Sequence, residues 1–399
     1  MSSPFSSAAL APKDPIFGIN EQFAADTRDG KVNMSIGMYM DENGKVPLLQ
    51  CVRAVEKMLA ETPKARAYLP IDGLRVYDQN VQKLVFGVDS DAVKAGRVAT
   101  VQALGGTGAI KVGADLLHKL MPGARVLVSD PTWGNHRGIF TQAGFQVGTY
   151  RYYHAARRTL DFDGMLADLR AAPVGSIVIL HACCHNPTGY DLNAAQWGQV
   201  IEVAKERGLT TFLDMAYQGF ADGITEDGAV IGQFIAAGVN VLVSNSFSKN
   251  FSLYGERVGA LSVVCTDKEE AGRVLSQLKL VVRANYSNPP THGATIVAQV
   301  LADPKLRAQW EGELAAMRQR IKSMRQQLAD GLKAAGVKQD MGFITTQVGM
   351  FSYSGLSKEQ MQRLRQDHAV YGLDSGRLCV AALNPHNIAH VCKSIAAVM

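Results

Sequence analysis

The chain has 399 residues, enough for one large and one small domain or for two or three of ordinary size. With 47% apolar and 19% charged residues it reads as an ordinary globular protein; its net charge of +5, without any block of Lys and Arg, argues against a nucleic-acid surface and suits small anionic ligands. No apolar stretch approaches the ~20 residues of a membrane helix, MSSPFSSAALAPKDP lacks the features of a secretory signal, and six scattered cysteines make no disulfide framework, so the cytoplasm is the expected compartment.

Residues 1–15, rich in Ser, Ala and Pro, read as a loose arm. From about residue 100 to 265 short apolar runs alternate with helical patterns. The strand candidates are ARVLVSD, GSIVILHACC, LTTFLDMA and VNVLVSNS, and LNAAQWGQVIEVAKERG between the middle two predicts a helix stopped at Gly208. Such alternation predicts an α/β domain with a mostly parallel sheet, whose ligands bind at the carboxyl ends of strands. After residue 311 the pattern changes. EGELAAMRQRIKSMRQQLADGLKAAG places Leu314, Met317, Ile321, Met324, Leu328 and Leu332 on one helical stripe. Ser357 and Gln360 form a capping-box pattern, RLCVAAL reads as a strand, and NIAHVCKSIAAVM as a last helix. Residues 311–399 therefore predict a smaller α+β unit reached by a long helix.

Each strand candidate ends in polar residues. The first runs into DPTWGNH with Trp133 and His136, the second into HACCHNPTG with Asn186, the third into DMAYQ with Asp214 and Tyr217, and the fourth into Ser246, Ser248 and Lys249. Singly, each has a plain structural reading: a turn, a helix cap, a core tryptophan, a solvated loop lysine. Four such ends at one sheet rim point to a site. GGTGAIKVGADLL, glycine-rich ahead of a helix, offers free N–H groups and a helix dipole to a phosphate, yet it lacks the Gly-Lys-Ser/Thr ending of a P-loop and the third glycine of a dinucleotide fingerprint. HACCH invites a metal reading, but adjacent Cys183 and Cys184 would face opposite sides of a strand, so no metal is expected. A phosphate site at Gly106, Thr107, Ser246 and Arg257, an acid at a strand end and a lysine near an arginine together make a pyridoxal 5′-phosphate (PLP) site. There the lysine binds the aldehyde covalently and the acid pairs with the ring nitrogen.

SNSFSKNFSLYGERVGAL, HNPTG, LDMAYQGF, LGGTGA, SDPTWGNH, RANYSNPP and the DSGR ending at Arg377 together resemble the class I aminotransferases of fold type I, most closely the bacterial aromatic-amino-acid branch beside the aspartate branch. The resemblance runs from KDPIFGINEQF to the carboxyl terminus. It implies a mostly parallel seven-stranded sheet between helices in a large domain (46–310), a smaller α+β domain (16–45 with 311–399) and an amino-terminal arm (1–15). It implies Lys249 as the cofactor lysine and proton-moving base, and Asp214 as the acid at the ring nitrogen, with His136 behind it. Tyr217 and Asn186 fall at the ring 3-oxygen, Trp133 on the ring face, and Ser246, Ser248 and Arg257 at the phosphate. Arg377 is implied as the holder of the substrate α-carboxylate, with Gly37 touching substrate. Tyr68 and Arg283 are implied to come from the neighbouring subunit of an obligate homodimer. Arg283 would pair with a distal carboxylate, whereas Met38, Met40, Val46 and Ala67 would form an apolar wall for an aromatic ring. Thr107 and Asn288 follow the aspartate branch. The implied function is amino transfer from tyrosine, phenylalanine and aspartate to 2-oxoglutarate, with amino acids and 2-oxo acids as ligands. An aspartate aminotransferase with minor aromatic activity stays open. So does a lyase or racemase, against which the two arginines speak, and a PLP-binding regulator, for which no basic module is visible.

Overall fold

The computed structural model describes residues 3–12 and 14–399. Seven strands form one sheet: β1 (Val98–Leu104), β2 (Val126–Asp130), β3 (Val147–Arg151), β4 (Ile177–His181), β5 (Thr210–Met215), β6 (Val241–Ser246) and β7 (Val258–Val264). Their order across the sheet is β1-β7-β6-β5-β4-β2-β3. β7 runs antiparallel to both β1 and β6, and the remaining pairs are parallel. All strands except β7 therefore end at one rim, and β7 starts there. β4, β6 and β7 are buried along their whole length, as strands covered on both faces must be, which explains their unbroken apolar runs. The mostly parallel seven-stranded α/β sheet expected from sequence is present, with this one antiparallel insertion.

Helix α1 (Pro15–Ala25) begins where Pro15 supplies a preset φ and the Asp14 carboxylate accepts from Ile16 N and Phe17 N. Residues 3–12 are exposed throughout, as a loose arm would be; Met1, Ser2 and Lys13 of that expectation lie outside the described residues. The glycines expected ahead of a helix are instead its first turn, since α2 spans Gly105–Leu120 directly after β1.

Helix α3 spans Lys268–Asn285, and the long helix α4 spans Pro304–Ala334. α4 starts at Pro304 rather than at residue 311, behind an Asp303 cap, so that Trp310 joins the expected stripe. All six expected stripe residues and Trp310 are at most 4% exposed, which makes this stripe one continuous packing face. Beyond it, strands β8 (Phe351–Tyr353) and β9 (Arg377–Cys379) pair antiparallel, and Val32–Asn33 pairs in parallel with Val370–Tyr371. The Ser357–Gln360 capping box forms with both reciprocal bonds. RLCVAAL is a strand only as far as Cys379; the next three residues turn into a 3₁₀ segment. There the backbone leaves the pairing to bond the 34–40 stretch, Cys379 N donating to Met34 O and Met40 N to Ala381 O.

Candidate active site

The carboxyl-end rim of the sheet opens into a cavity of 530 Å³. Its wall includes Gly106 and Thr107 from the start of α2, Trp133 after β2, His181 at the end of β4 and Asn186 after it, Asp214 and Tyr217 at β5, and Ser246 at the end of β6 with Ser248, Lys249 and Arg257 from the β6–β7 loop. The β6–β7 loop is anchored by apolar residues on either side of the lysine. Phe247 and Phe251 are wholly buried, meeting each other at 5.3 Å, and Phe251 stacks on Trp310 at 4.7 Å. With both aromatics pinned to the core, the intervening Lys249 turns the other way. Its Nζ lies over the Tyr217 ring at 4.9 Å. Desolvation pushes the Lys249 ammonium down to about 8, against the pull of Asp214 and with help from Arg257 and Arg377. A neutral amine is thereby available near neutral pH.

Asp214 sits mid-sheet, paired in register with His181 on one side and Ser244 on the other. One carboxylate oxygen meets His136 Nε2 at 3.1 Å and the other accepts from Ser244 Oγ at 3.0 Å. Burial alone would raise its pKa, but the contacts with His136 and Ser244 outweigh it and hold the carboxyl below its usual value. His136 is held in turn by Thr132 Oγ1 at 2.8 Å from Nδ1. The result is a fixed anion at the floor of the cavity. Burial raises the Tyr217 phenol well above its ordinary range, with the Arg377 charge opposing, so the phenol stays protonated.

At one end of the cavity the residues suit a phosphate. The first N–H groups of α2, like those of any helix, have no intrahelical partner, and no side chain caps them. Arg257 Nη1 donates to Ser248 Oγ at 3.1 Å and to Tyr254 O at 3.0 Å, and Ser246 and Ser248 share a hydroxyl contact at 3.1 Å. Gly105 has φ 68°, and a Cβ there would stand 2.5 Å from Arg257 Nη2. The guanidinium can lie against the helix start only because that residue is glycine. Uncapped N–H groups, two hydroxyls and a cation form a dianion cradle. A lysine, an acid, an aromatic wall and this cradle are the donor set PLP requires, so the residues fit that cofactor.

On the opposite side stands Arg377, in β9, 3% exposed. It donates to Asn186 Oδ1 at 3.1 Å and to Ser35 O at 2.5 Å, while its buried Nε has no partner. Through the first of these bonds it adjoins Asn186, which lines the cavity. Its guanidinium carbon is 4.2 Å from the centre of the Phe351 ring. Gly37 lines the cavity, and a Cβ there would meet the same ring at 2.7 Å.

Tyr68 and Arg283 are not brought to this cavity by a single chain. Tyr68 is 91% exposed beside a second cavity of 570 Å³, and Arg283 is exposed on α3, donating to Ser287 Oγ. Of the apolar residues expected near substrate, Met38 lines the cavity. Met40 packs on the core instead, and Val46 and Ala67 are exposed. The apolar wall is completed by Phe17 and Ile36, which sequence reasoning passed over.

His181 and Tyr254 were also passed over. His181 ends β4, which is the signal that could have found it. Burial pushes its imidazole down to about 3, and neither ring nitrogen has a hydrogen-bond partner. Tyr254 OH accepts from Tyr39 N at 2.9 Å and ties the β6–β7 loop to the 36–40 segment. Cys183 and Cys184 do not alternate across a strand as expected, because β4 ends at His181 and Cys184 takes φ 52° in a bend. Both thiols approach Asp227 within 4.8 Å. That carboxylate already accepts from the backbone N–H groups of Gly219, Ala221, Asp222 and Gly223. Among the described residues no helix is long and apolar enough to cross a membrane.

Residues 29–395 match the profile of the family described as Aminotransferase class I and II. The chain is 54% identical to an aspartate aminotransferase of Pseudomonas aeruginosa, covering 99% of each, and 52% identical to an aromatic-amino-acid aminotransferase of Escherichia coli, covering 97% of this chain and 98% of the other. A solved aromatic-amino-acid aminotransferase of Burkholderia pseudomallei, covalently bound to pyridoxal phosphate, superposes with a TM-score of 0.98 at 58% identity over the full length of both chains. Matches of this extent leave one assignment: the chain belongs to the class I and II aminotransferases.

Proposed function

We propose that this PLP-dependent transaminase moves amino groups from tyrosine, phenylalanine and aspartate to 2-oxoglutarate, using one pocket for aromatic and dicarboxylic substrates. The observation that carries the reading is Lys249. It is a lysine of lowered pKa held between a fixed carboxylate, Asp214, and an anion cradle built on Arg257. PLP, when bound, is an electron sink that accepts the amino group in one half of the cycle and returns it in the other.

The chain's own residues do the rest. Ser246, Ser248, Arg257 and the start of α2, with Gly106 and Thr107, hold the phosphate. Asp214 keeps a negative charge at the cavity floor, oriented by His136 and Ser244. Trp133 and Ala216 supply apolar walls, and Asn186 and Tyr217 offer hydrogen bonds to a ring oxygen. Lys249 Nζ takes a proton from the substrate α-carbon and delivers it again, a task for which a base near pKa 8 is suited. Arg377 takes the α-carboxylate common to every amino and 2-oxo acid. Phe17, Ile36 and Met38 give an aromatic side chain apolar surface.

The same reading makes the protein a homodimer in which Tyr68 and Arg283 complete the neighbour's site. The exposure of both side chains and of the 3–12 arm supports it. It divides the chain into a large domain (46–310) and a small one (16–45 with 311–399). The bonds joining the 34–40 stretch to residues 371–381 support that division. Six free thiols suit a reducing cytoplasm. A panel of amino donors assayed with 2-oxoglutarate tests the function. Turnover of both tyrosine and aspartate is expected, and turnover of aspartate alone would favour the plain aspartate enzyme.

A further inference from the structure

Arg325 lies on the buried stripe of α4, 2% exposed, between Met324 and Leu328. Its guanidinium donates to the carbonyl oxygens of Ile344 at 3.1 Å, Gly349 at 2.8 Å and Phe351 at 2.5 Å. All three partners are neutral and belong to one short segment that leads into β8. A buried cation that bonds only carbonyls is a costly way to fill a core position, where Leu or Met would pack without desolvation. Such a residue acts on the geometry of what it holds.

The held segment has little slack on its other face. Val348 N donates to Gly189 O at 2.7 Å, and a Cβ on Gly189 would meet Phe351 O at 3.0 Å. A Cβ on Gly349 would strike Cys184 Cβ at 2.6 Å. The HACCHNPTG turn thus presses the segment from one side and Arg325 pins it from the other. The position of Phe351 is the outcome, and its ring is the floor beneath Arg377 and the surface against which Gly37 lies. The Arg377 guanidinium itself makes two hydrogen bonds, to Asn186 Oδ1 and Ser35 O.

We infer that Arg325 is a positioning residue for substrate carboxylate binding. It holds the backbone of Phe351 so that the ring sets the angle at which Arg377 meets the α-carboxylate. This rests on the proposed role of Arg377. A planar fork reaches three carbonyls at once, whereas an ammonium cannot span them in the same plane. Every substrate carries the α-carboxylate, so aromatic and dicarboxylic ligands must be affected alike.

The test uses holoenzyme with Arg325→Lys and Arg325→Met, and two carboxylates without an amino group, succinate and 3-phenylpropanoate, titrated by the absorbance of the bound cofactor. Measurements are made well below each variant's Tm. Both dissociation constants are expected to rise together, by about tenfold in Arg325→Lys and more in Arg325→Met, with cofactor content unchanged and the loss in turnover appearing in KM rather than kcat. A purely structural role would lower Tm and leave both constants within about twofold of the parent, which would overturn the inference. Arg325→Lys retains the charge and a donor, so it carries the measurement should Arg325→Met not fold. Combining Arg325→Lys with Phe351→Leu must give losses that are not additive; additive losses would overturn the route through the ring. Arg377→Lys separates the two levels. Weak carboxylate binding there with parental binding in Arg325→Lys overturns the positioning role alone, whereas parental binding in Arg377→Lys overturns the site reading as well.

Discussion

Replacing Asp214 with Asn isolates the charge at the cavity floor from its shape. The amide is isosteric, and one of its two ends can still accept from His136 or Ser244, the partners now at 3.1 and 3.0 Å. The cradle formed by Ser246, Ser248 and Arg257 is untouched, so the cofactor is expected to stay bound through dialysis. What disappears is a buried carboxylate that the fold keeps ionised. Removing one partner of a buried charge pair costs about 3–5 kcal/mol. If that loss falls on the transition state, the half-reaction slows by about 10²–10⁴. The same anion is the one neighbour that raises the pKa of Lys249, so its loss lets that amine fall further below its present value of about 8. Stopped-flow absorbance of the holoenzyme mixed with aspartate, and separately with phenylalanine, reads the rate, and the pH dependence of amine labelling in apoprotein reads the lysine. A half-reaction within about tenfold of the parent, with cofactor bound, would refute the assignment of Asp214 to the ring nitrogen.

Lys249 has a pKa below its unfolded value, so between about 8 and 10.5 the unfolded chain binds more protons and apoprotein stability rises with pH. Urea melts of Lys249→Met apoprotein should show a variant about 1–3 kcal/mol more stable than the parent at pH 7, the gap closing toward pH 10. Arg283→Leu should cut kcat/KM for aspartate by about 10²–10⁵ and the phenylalanine half-reaction far less; equal losses in single-turnover spectra would mean that Arg283 does not read the distal carboxylate. Refolding Lys249→Ala together with Arg283→Leu subunits should restore about a quarter of parental activity, because one site of each mixed dimer is intact; no recovery would place Arg283 in the site of its own chain. Gly37→Ala puts a methyl 2.7 Å from the Phe351 ring. It should raise KM for all amino acids by about tenfold while lowering stability by about 1–3 kcal/mol, read by steady-state kinetics and thermal melts.

The rim was legible wherever a buried strand broke abruptly into polar residues. VLVSNS runs out just before Lys249 and TTFLDM carries Asp214 next to its last residue, and period and turn chemistry suffice to find such ends. β1 and β7 were not singled out, although VGALSVV is as apolar as the others, because an antiparallel insertion leaves no local mark. Arg325 and Phe351 were illegible for a different reason. Arg325 bonds the Phe351 carbonyl, and Phe351 in turn meets Arg377 and Gly189; these contacts join segments far apart in sequence, and no spacing encodes them. His181 was hidden by its context, since HACCH draws the eye to the thiols. Cys183 and Cys184 misled because the strand stopped at His181, three residues sooner than alternation through Cys184 required. Tyr68 and Arg283 show the limit of a single chain, whose own fold leaves them at the surface.

The antiparallel β7 also fixes when the sheet can close. β1 sits at the sheet edge with β7 as its only sheet partner among the described residues, and β7 begins about 160 residues later. At ~5–20 residues per second of synthesis, a nascent chain holds the apolar VATVQAL strand unpaired for roughly 8–30 s. Over that interval it is an open edge that can template pairing with other chains, so the region emerging after residue 98 is where a chaperone or a slowed ribosome would matter most. Arg257 reaches Gly105 only when that pairing is made, so the anion cradle cannot form before β7 has been synthesised, while α4, β8 and β9 are still to come. The cofactor therefore cannot nucleate the first strands of the growing chain; it stabilises the fold once β1, β6 and β7 are paired, and cofactor starvation should shorten the lifetime of the folded protein.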